Sequence, residues 1–239
     1  MHLLDLTLPT PAENLACDEA LLDLCEEGGA GEVLRFWEPR EAFVVVGYAN
    51  KVASEVNLDA CRSLGIPILR RCSGGGTVLQ GPGCLNYSLI LRIIESGPLQ
   101  SVTGTNRFVM ERNRQALAKL LGRLVQVQGF TDLTLGDLKF SGNAQRRRRH
   151  SLIFHGTFLL EFDLTLVEKV LAVPSRQPEY RQGRSHRGFL INLNLPAEAI
   201  KQAMSEGWKA TASLNEVPSA AIARLARERY SRSDWNAKF

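Results

Sequence analysis

Residues 70–78 read Arg70-Arg71-Cys72-Ser73-Gly74-Gly75-Gly76-Thr77-Val78. Three consecutive glycines after an apolar run let backbone N–H groups approach an anion closely. The two arginines beside them add charge and directed donors suited to a carboxylate or a phosphate. No Gly-Lys-Ser/Thr follows, so this is not a Walker loop, and no helix of the dinucleotide-binding kind comes after it. A glycine-rich hairpin turn is the plain alternative.

Upstream, residues 12–26 place Leu15, Cys17, Leu21, Leu22 and Leu24 on a broad apolar face that ends at Gly28-Gly29, the pattern of a helix. Residues 32–38 and 42–46 read as strands, 55–64 as a short helix closed by Gly65, and 67–71 as a strand entering the glycines. Downstream, residues 84–93 alternate Leu85, Tyr87, Leu89 and Leu91 against Asn86 and Ser88. Residues 106–121 form the longest helical pattern. Residues 124–128, 137–144 and 151–162 read as strands, 164–171 as a helix, 174–188 as a polar loop, and 197–205 and 218–230 as late helices. Strands and helices do not alternate as regular βαβ units, and short connections between 130 and 162 favour antiparallel pairing. The predicted fold is α+β, a mixed or antiparallel sheet with packed helices. A single domain over residues 1–239 is predicted, with 197–239 as its helical C-terminal extension.

Two of these strands carry further polar chemistry. Alternation along 137–144 puts Asp137, Lys139, Ser141 and Asn143 on one face. A lysine in mid-strand is unusual; it either faces a site, where it offsets developing negative charge, or guards a sheet edge. Gly142 would let a ligand lie against the backbone. Along 151–162, His155 and Thr157 share the face opposite Leu152, Phe154 and Phe158, with Gly156 between them. A lone histidine is commonly a hydrogen-bonded structural residue. No His-Glu-x-x-His or Cys/His set is present, so no structural zinc is predicted.

The charge is local. There are 29 basic and 25 acidic residues, and Arg146, Arg147, Arg148 and Arg149 alone account for the excess. A nucleic-acid protein spreads its basic residues over a longer footprint, so no nucleic-acid partner is expected. The five cysteines form no CxxC and follow no signal peptide, which suits free thiols in a reducing compartment. No apolar run reaches membrane-spanning length. A cytoplasmic protein with no membrane partner is the expectation.

Taken together, the segments resemble the lipoate–protein ligase A family of the biotin/lipoate ligase superfamily. The family pattern Arg-Arg-x-Ser-Gly-Gly-Gly, then Gly-x-x-Asn-x-Ser, is matched by residues 70–76 and by Gly83-Cys84-Leu85-Asn86-Tyr87-Ser88. A Lys-hydrophobic-Ser/Ala-Gly-x-Ala-Gln segment is matched by residues 139–145, a His-Gly pair by His155-Gly156, and an early Asn-x-Ala-x-Asp-Glu helix by residues 14–19. The resemblance covers most of residues 12–195 and implies the catalytic fold shared with biotin ligases and related to class II aminoacyl-tRNA synthetases. It implies activation of lipoate or octanoate with ATP and Mg to an acyl-adenylate. The acyl group then passes to a lysine of a lipoyl acceptor domain, of the 2-oxoacid dehydrogenase or glycine cleavage type.

By the same resemblance, Arg71 holds the acyl carboxylate or adenylate phosphate, and Ser73, Gly74, Gly75 and Gly76 pack against the acyl-adenylate. Asn86, Gly142, Ala144, His155 and Gly156 line the binding site, and Lys139 contacts the reacting oxygens. Asp132, in Thr131-Asp132-Leu133, lies by the nucleotide and its Mg. Gln80 stands where the family often has His, which removes any proton charge there. The family's accessory C-terminal domain is not expected, so a separate activating subunit is a possible partner.

Two other readings compete. A cysteine-dependent octanoyl or lipoyl transferase keeps a cysteine shortly before the lysine motif, and residues 120–138 contain none; Cys72 and Cys84 are the remaining candidates. A non-catalytic acyl- or partner-binding module is the other, and Lys139 weighs against it. The four arginines are read as a hairpin tip at the rim of the site that docks acidic acceptor domains. A solvated loop is the alternative.

Overall fold

The computed structural model describes residues 1–29, 31–174 and 177–239. Its elements run as β1 (His2–Asp5), α1 (Pro11–Glu26), β2 (Val33–Trp37), β3 (Phe43–Val46), α2 (Val52–Glu55), α3 (Leu58–Leu64), β4 (Ile68–Arg70), β5 (Val78–Gln80), β6 (Cys84–Arg92) and α4 (Val102–Leu121). They continue as β7 (Gln126–Gln128), β8 (Asp132–Leu135), β9 (Leu138–Arg147), β10 (Ser151–Leu159), α5 (Leu164–Val170), α6 (His186–Phe189), α7 (Ala197–Trp208), β11 (Ala212–Ser213), α8 (Ser219–Leu225) and α9 (Ser233–Asn236).

The alternation along residues 84–93 produces the spine of a mixed α+β fold. Eight strands join in the order β11-β1-β2-β6-β10-β9-β8-β7, and β4-β3-β5 form a second sheet. Strand β1 is parallel to β2 and β11, and every pair from β2 across to β7 is antiparallel. On one face Leu85, Tyr87, Leu89, Phe154 and Phe158 pack against Val109 and Leu117 of α4 and Ile200 and Met204 of α7. On the other, Ile90 and Ile153 meet α1, α8 and the small sheet through Leu21, Ile222 and Val45. Apolar side chains removed from water on both faces hold the layers together.

The termini of α4 follow from its sequence. Ser101 accepts from the Gly104 N–H as N-cap, and Gly122 closes the helix in the left-handed region. The helix therefore starts at Val102, earlier than the apolar periodicity alone suggests. The expected helix over 55–64 is two helices, because Val56 is extended and bridges Leu171 while Asn57 caps α3. The expected strand over 137–144 begins at Leu138, after a Gly136-Asp137 turn that follows β8. Of the expected 174–188 loop, residues 175 and 176 lie outside the described residues; the rest holds a 3-10 turn, Glu179–Arg181, and the start of α6. Helix α7 lies against α4, and α8 with the π-helical turn Ala226–Tyr230 lies against α1. Among the described residues no helix is long and apolar enough to cross a membrane.

Candidate active site

Three successive inward positions of β9 organise the site. Gly142 pairs with Thr157, Ala144 with His155 and Arg146 with Ile153, so all three face the small sheet. Over Gly142 lies the ammonium of Lys139, where a Cβ would come within 2.7 Å of Nζ. Against Ala144 lies Gly75, whose own Cβ would be 3.2 Å from that of Ala144. The Arg146 guanidinium donates to the Cys72 carbonyl at 2.8 Å. One strand thus brings the lysine beside the triple glycine.

Lys139 pairs with Asp132 (Nζ to Oδ1 2.8 Å), and Tyr180 donates its hydroxyl to Asp132 Oδ2 at 2.7 Å. Burial, with the Asp132 charge beside it, pushes the Tyr180 phenol well above its ordinary value, so it stays a donor. Asp132 opens β8 shortly after Gly129, whose positive φ of 57° turns the chain there. No cluster of three or more His, Cys, Asp or Glu suited to a metal occurs among the described residues. A single carboxylate suits Mg carried on phosphates rather than an all-protein cage, and Asp132, whose two oxygens here bind Lys139 and Tyr180, is the carboxylate that would have to hold it.

The loop at 73–76 is braced from behind. Arg71 is buried, and its guanidinium donates to Ser73 Oγ, to the Gly74 and Gly76 carbonyls and to the Val45 carbonyl. Burial without a carboxylate partner pulls its pKa down to about 10. Arg71 therefore acts on the loop's shape, not as a free donor pointing outward. Gly74 and Gly76 are exposed, with open space where a Cβ would stand, and Gly75 has a φ of 88°. Gly47 packs onto the Gly75 carbonyl so closely that any side chain would overlap it. Asn50 donates to the same carbonyl at 3.1 Å. With its carbonyls held inward, the loop offers an exposed backbone surface suited to an anion.

Arg70, the other arginine of the pair, turns away from the site. Its guanidinium is fully buried and donates to the carbonyls of Gly47, Tyr48, Asn50, Trp235 and Asn236. It ties the segment around α9 to the 47–50 turn that supports Gly75.

The floor is polar and closed. Gln80, Asn86 and Thr157 form a ring: Gln80 donates to Thr157 Oγ1 at 3.0 Å, Thr157 donates to Asn86 Oδ1 at 2.5 Å, and Asn86 donates to Gln80 Oε1 at 3.2 Å. Gln80 thus serves as a neutral partner of Asn86. Ser73 Oγ is 2.6 Å from His155 Nε2, and His155 Nδ1 is 3.4 Å from Asp18 Oδ2. Asp18 also binds Arg35 at 2.5 Å and accepts from Ser88 at 2.7 Å. Burial opposes the Asp18 charge, but Arg35, His155 and Ser88 outweigh it and hold the carboxyl below its usual range.

Three sequence expectations change here. Asn143 does not share the lysine's face. It pairs with Gly156, bonds the Thr131 backbone, and accepts from the Tyr87 hydroxyl at 2.7 Å on the α4 side. Gly156 matters by lacking a side chain, since a Cβ there would overlap Asn143 Oδ1. The arginine run is not a free docking tip. Arg146 and Arg147 belong to β9; Arg147 binds Thr105 and the Leu99 carbonyl, and Arg148 binds Asp23 and Glu19. Arg149 remains at the turn as an exposed residue. Asp18, Arg35 and Tyr180 carried no role in the sequence reading. Two acids inside the apolar face of α1 were the available signal for Asp18.

Both candidate thiols are buried, and burial pushes Cys72 and Cys84 up to about 12. Neither is a thiolate at neutral pH.

A sheet that carries a lysine–carboxylate pair beside a braced glycine loop belongs with enzymes of the lipoate ligase and octanoyltransferase class. The chain belongs to the lipoyl protein ligase A/B catalytic domain family, whose model matches residues 10–209. It is 26% identical to octanoyltransferase LipM of Brevibacillus brevis, over 96% of this chain and 95% of that one. It superposes on a crystal structure of lipoate-protein ligase A bound with ATP with a TM-score of 0.84, 25% identity, and 99% and 98% of the two chains covered. A bipartite lipoate protein ligase of Thermoplasma acidophilum, studied with its E2 lipoyl domain, matches with a TM-score of 0.82, 25% identity, and 99% and 96% covered.

Proposed function

We propose that this protein activates lipoate or octanoate with Mg-ATP and transfers the acyl group to a lysine of a lipoyl acceptor domain. One observation carries the reading: the Lys139 ammonium, fixed by Asp132 over the bare backbone of Gly142, sits beside the braced 73–76 loop. Adenylation brings a carboxylate and a triphosphate together, so fixed cations must offset their repulsion. Aminolysis then builds negative charge on the acyl oxygen. A preorganised lysine stabilises that charge better than water, which would have to reorient. Arg146 adds a second cation at the start of the loop, and Ser73, Asn86, Ala144 and His155 shape the pocket wall. Mg bound to the nucleotide supplies charge neutralisation beside Asp132.

In this reading residues 1–239 act as one catalytic unit, with 197–239 as a helical extension of it. The bipartite Thermoplasma ligase supports an acceptor of the lipoyl-domain kind and an activating subunit. The buried thiols support an adenylate route over a cysteine acyl-enzyme.

The test is incubation with lipoate or octanoate, Mg-ATP and a lipoyl domain, read by acceptor mass. Lys139→Ala should lose at least 100-fold in transfer while remaining folded. The similarity to LipM favours a second reading, transfer from an octanoyl-carrier donor without ATP. Acylation with that donor alone, and none with free acid plus ATP, would replace the ligase by the transferase.

A further inference from the structure

Asp18, His155 and Ser73 lie on three separate elements, α1, β10 and the β4–β5 loop, yet they hydrogen-bond in series. A carboxylate only accepts, so Asp18 fixes the proton of His155 on Nδ1 and leaves Nε2 as an acceptor for the Ser73 hydroxyl. Asp18 is itself anchored by Arg35, which also binds the Asn14 carbonyl and side chain, so the array cannot swing. Ser73 opens the glycine loop but is itself buried, so an amine meets its hydroxyl only by entering the pocket beside the loop, where the His155 side chain keeps 12% of its surface accessible.

The proposed transfer has an unmet proton demand. An acceptor lysine is an ammonium at neutral pH. It must lose one proton before attack and a second as the amide forms. Lys139 is tied to Asp132, whose other oxygen accepts from Tyr180, so that cluster is already committed to its own hydrogen bonds.

We propose that Asp18, His155 and Ser73 form a proton relay for aminolysis, with Ser73 as the contact to the acceptor amine and His155 and Asp18 as positioning residues behind it. This rests on acyl transfer to a lysine, whichever donor is used. The amine loses its first proton to solvent on binding. As its nitrogen bonds the acyl carbon, the second proton passes to Ser73 Oγ while the Ser73 proton passes to His155 Nε2. The bond from the acyl carbon to the leaving group breaks, and AMP (or the carrier thiolate) departs with the electron pair. His155 then returns its proton to solvent, and Asp18 stabilises the transient imidazolium.

The charged groups around His155 fit this cycle. Asp18 faces it from α1, with Arg35 of β2 behind that carboxylate. Arg71 faces Ser73 from the small sheet, and Arg146 of β9 reaches the Cys72 carbonyl. Glu19, next to Asp18, is taken by Arg229 and Tyr230. The cross-strand neighbours Ser88 and Ala144 are neutral.

The experiment compares two nucleophiles with one donor, preformed acyl-adenylate or octanoyl-carrier protein. One is the lipoyl domain, whose lysine needs deprotonation. The other is a low-pKa aryl thiolate such as thionitrobenzoate, which is already an anion at neutral pH and loses no proton when it attacks the acyl carbon. His155→Gln and Ser73→Ala should each slow transfer to the lipoyl domain by about 10²–10³-fold, the range for one general base. Transfer to the thiolate should fall far less, and in His155→Gln the acid limb of the pH–rate profile for the lipoyl domain should become shallower, leaving only the slope set by the acceptor amine's own deprotonation. Equal losses with both nucleophiles, or no loss with either, overturn the relay. Asp18→Asn exposes a buried Arg35 charge and risks the fold, so the other two variants carry the test. If wild-type protein acylates neither nucleophile from either donor, the functional reading itself fails, which is seen before any variant is made.

Discussion

Arg70 and Trp235 bind each other twice across 165 residues: Arg70 Nε donates to the Trp235 carbonyl at 3.2 Å, and Trp235 Nε1 donates to the Arg70 carbonyl at 2.8 Å. Asn236 adds a third link through its side chain to the Arg70 N–H at 2.9 Å. Trp235 also packs against Tyr48 and Tyr230 and under the Arg229 guanidinium. Trp235→Ala should therefore lower stability by about 2–3 kcal/mol, measured by urea unfolding. It should also weaken nucleotide binding by loosening the 47–50 turn against Gly75. Arg70→Lys should do the same, because a lysine has three donors for a site built around a planar fork.

The cysteines give a chemical check. With thiols at Cys72 and Cys84 pushed up to about 12, native protein at pH 8 should leave both unlabelled by iodoacetamide, while unfolded protein labels all five. Mass mapping of the alkylated peptides reads this directly. Cys72→Ala and Cys84→Ala should each retain acyl transfer. A variant that lost both turnover and a mass-detected acyl-enzyme would restore the thiol route.

Acid stability should depend on Asp18. Its folded pKa lies below its unfolded one, so its contribution is fully present above about pH 4 and fades as pH falls through the folded value. Asp18→Asn should cost about 3–5 kcal/mol at pH 7, since it leaves Arg35 buried without its counter-ion. The gap between wild type and variant should shrink below pH 4. A gap that stayed constant down to pH 2 would show that the carboxylate charge contributes nothing.

The arginine run separates into three kinds of residue. Arg149→Ser should leave stability within about 0.5 kcal/mol, as for an exposed turn residue, and any effect should appear in acceptor KM at low salt. Arg147→Ser and Arg148→Ser should lower the melting temperature, because they release the Leu99 carbonyl and Thr105 in one case and Asp23 and Glu19 in the other. Arg146→Ser should instead slow acyl transfer. Thermal melts and acceptor titrations distinguish the three outcomes.

Local patterns made much of this visible in the sequence. Alternation from Leu85 to Leu91 announces a buried strand because one face must be apolar, and the triple glycine announces a backbone site because nothing else leaves amides bare. Lys139 was legible for the opposite reason, as a charge inside a strand pattern, although it stands second in β9. Arg71 and Arg70 look alike in sequence, but burial separates them: one braces the loop and the other clasps the segment at 235–236. The run from Arg146 to Arg149 looked like a solvated tip because consecutive charges usually are. Strand pleating aims alternate arginines at opposite faces, where Thr105 and the Cys72 carbonyl await them. Asp18 was hidden because its partners, Arg35, Ser88 and His155, meet only when β2, β6 and β10 pair side by side in the sheet and α1 packs onto them.

The clasp between Arg70 and Trp235 also sets the order in which the protein becomes competent. Residues 70–76 leave the ribosome early, yet the turn that supports them is held by carbonyls at 235 and 236. At about 5–20 residues per second, the glycine loop waits roughly ten to thirty seconds for its brace. The nascent chain can build its sheet in that interval, but the glycine loop takes its final shape only after residues 235 and 236 have joined it.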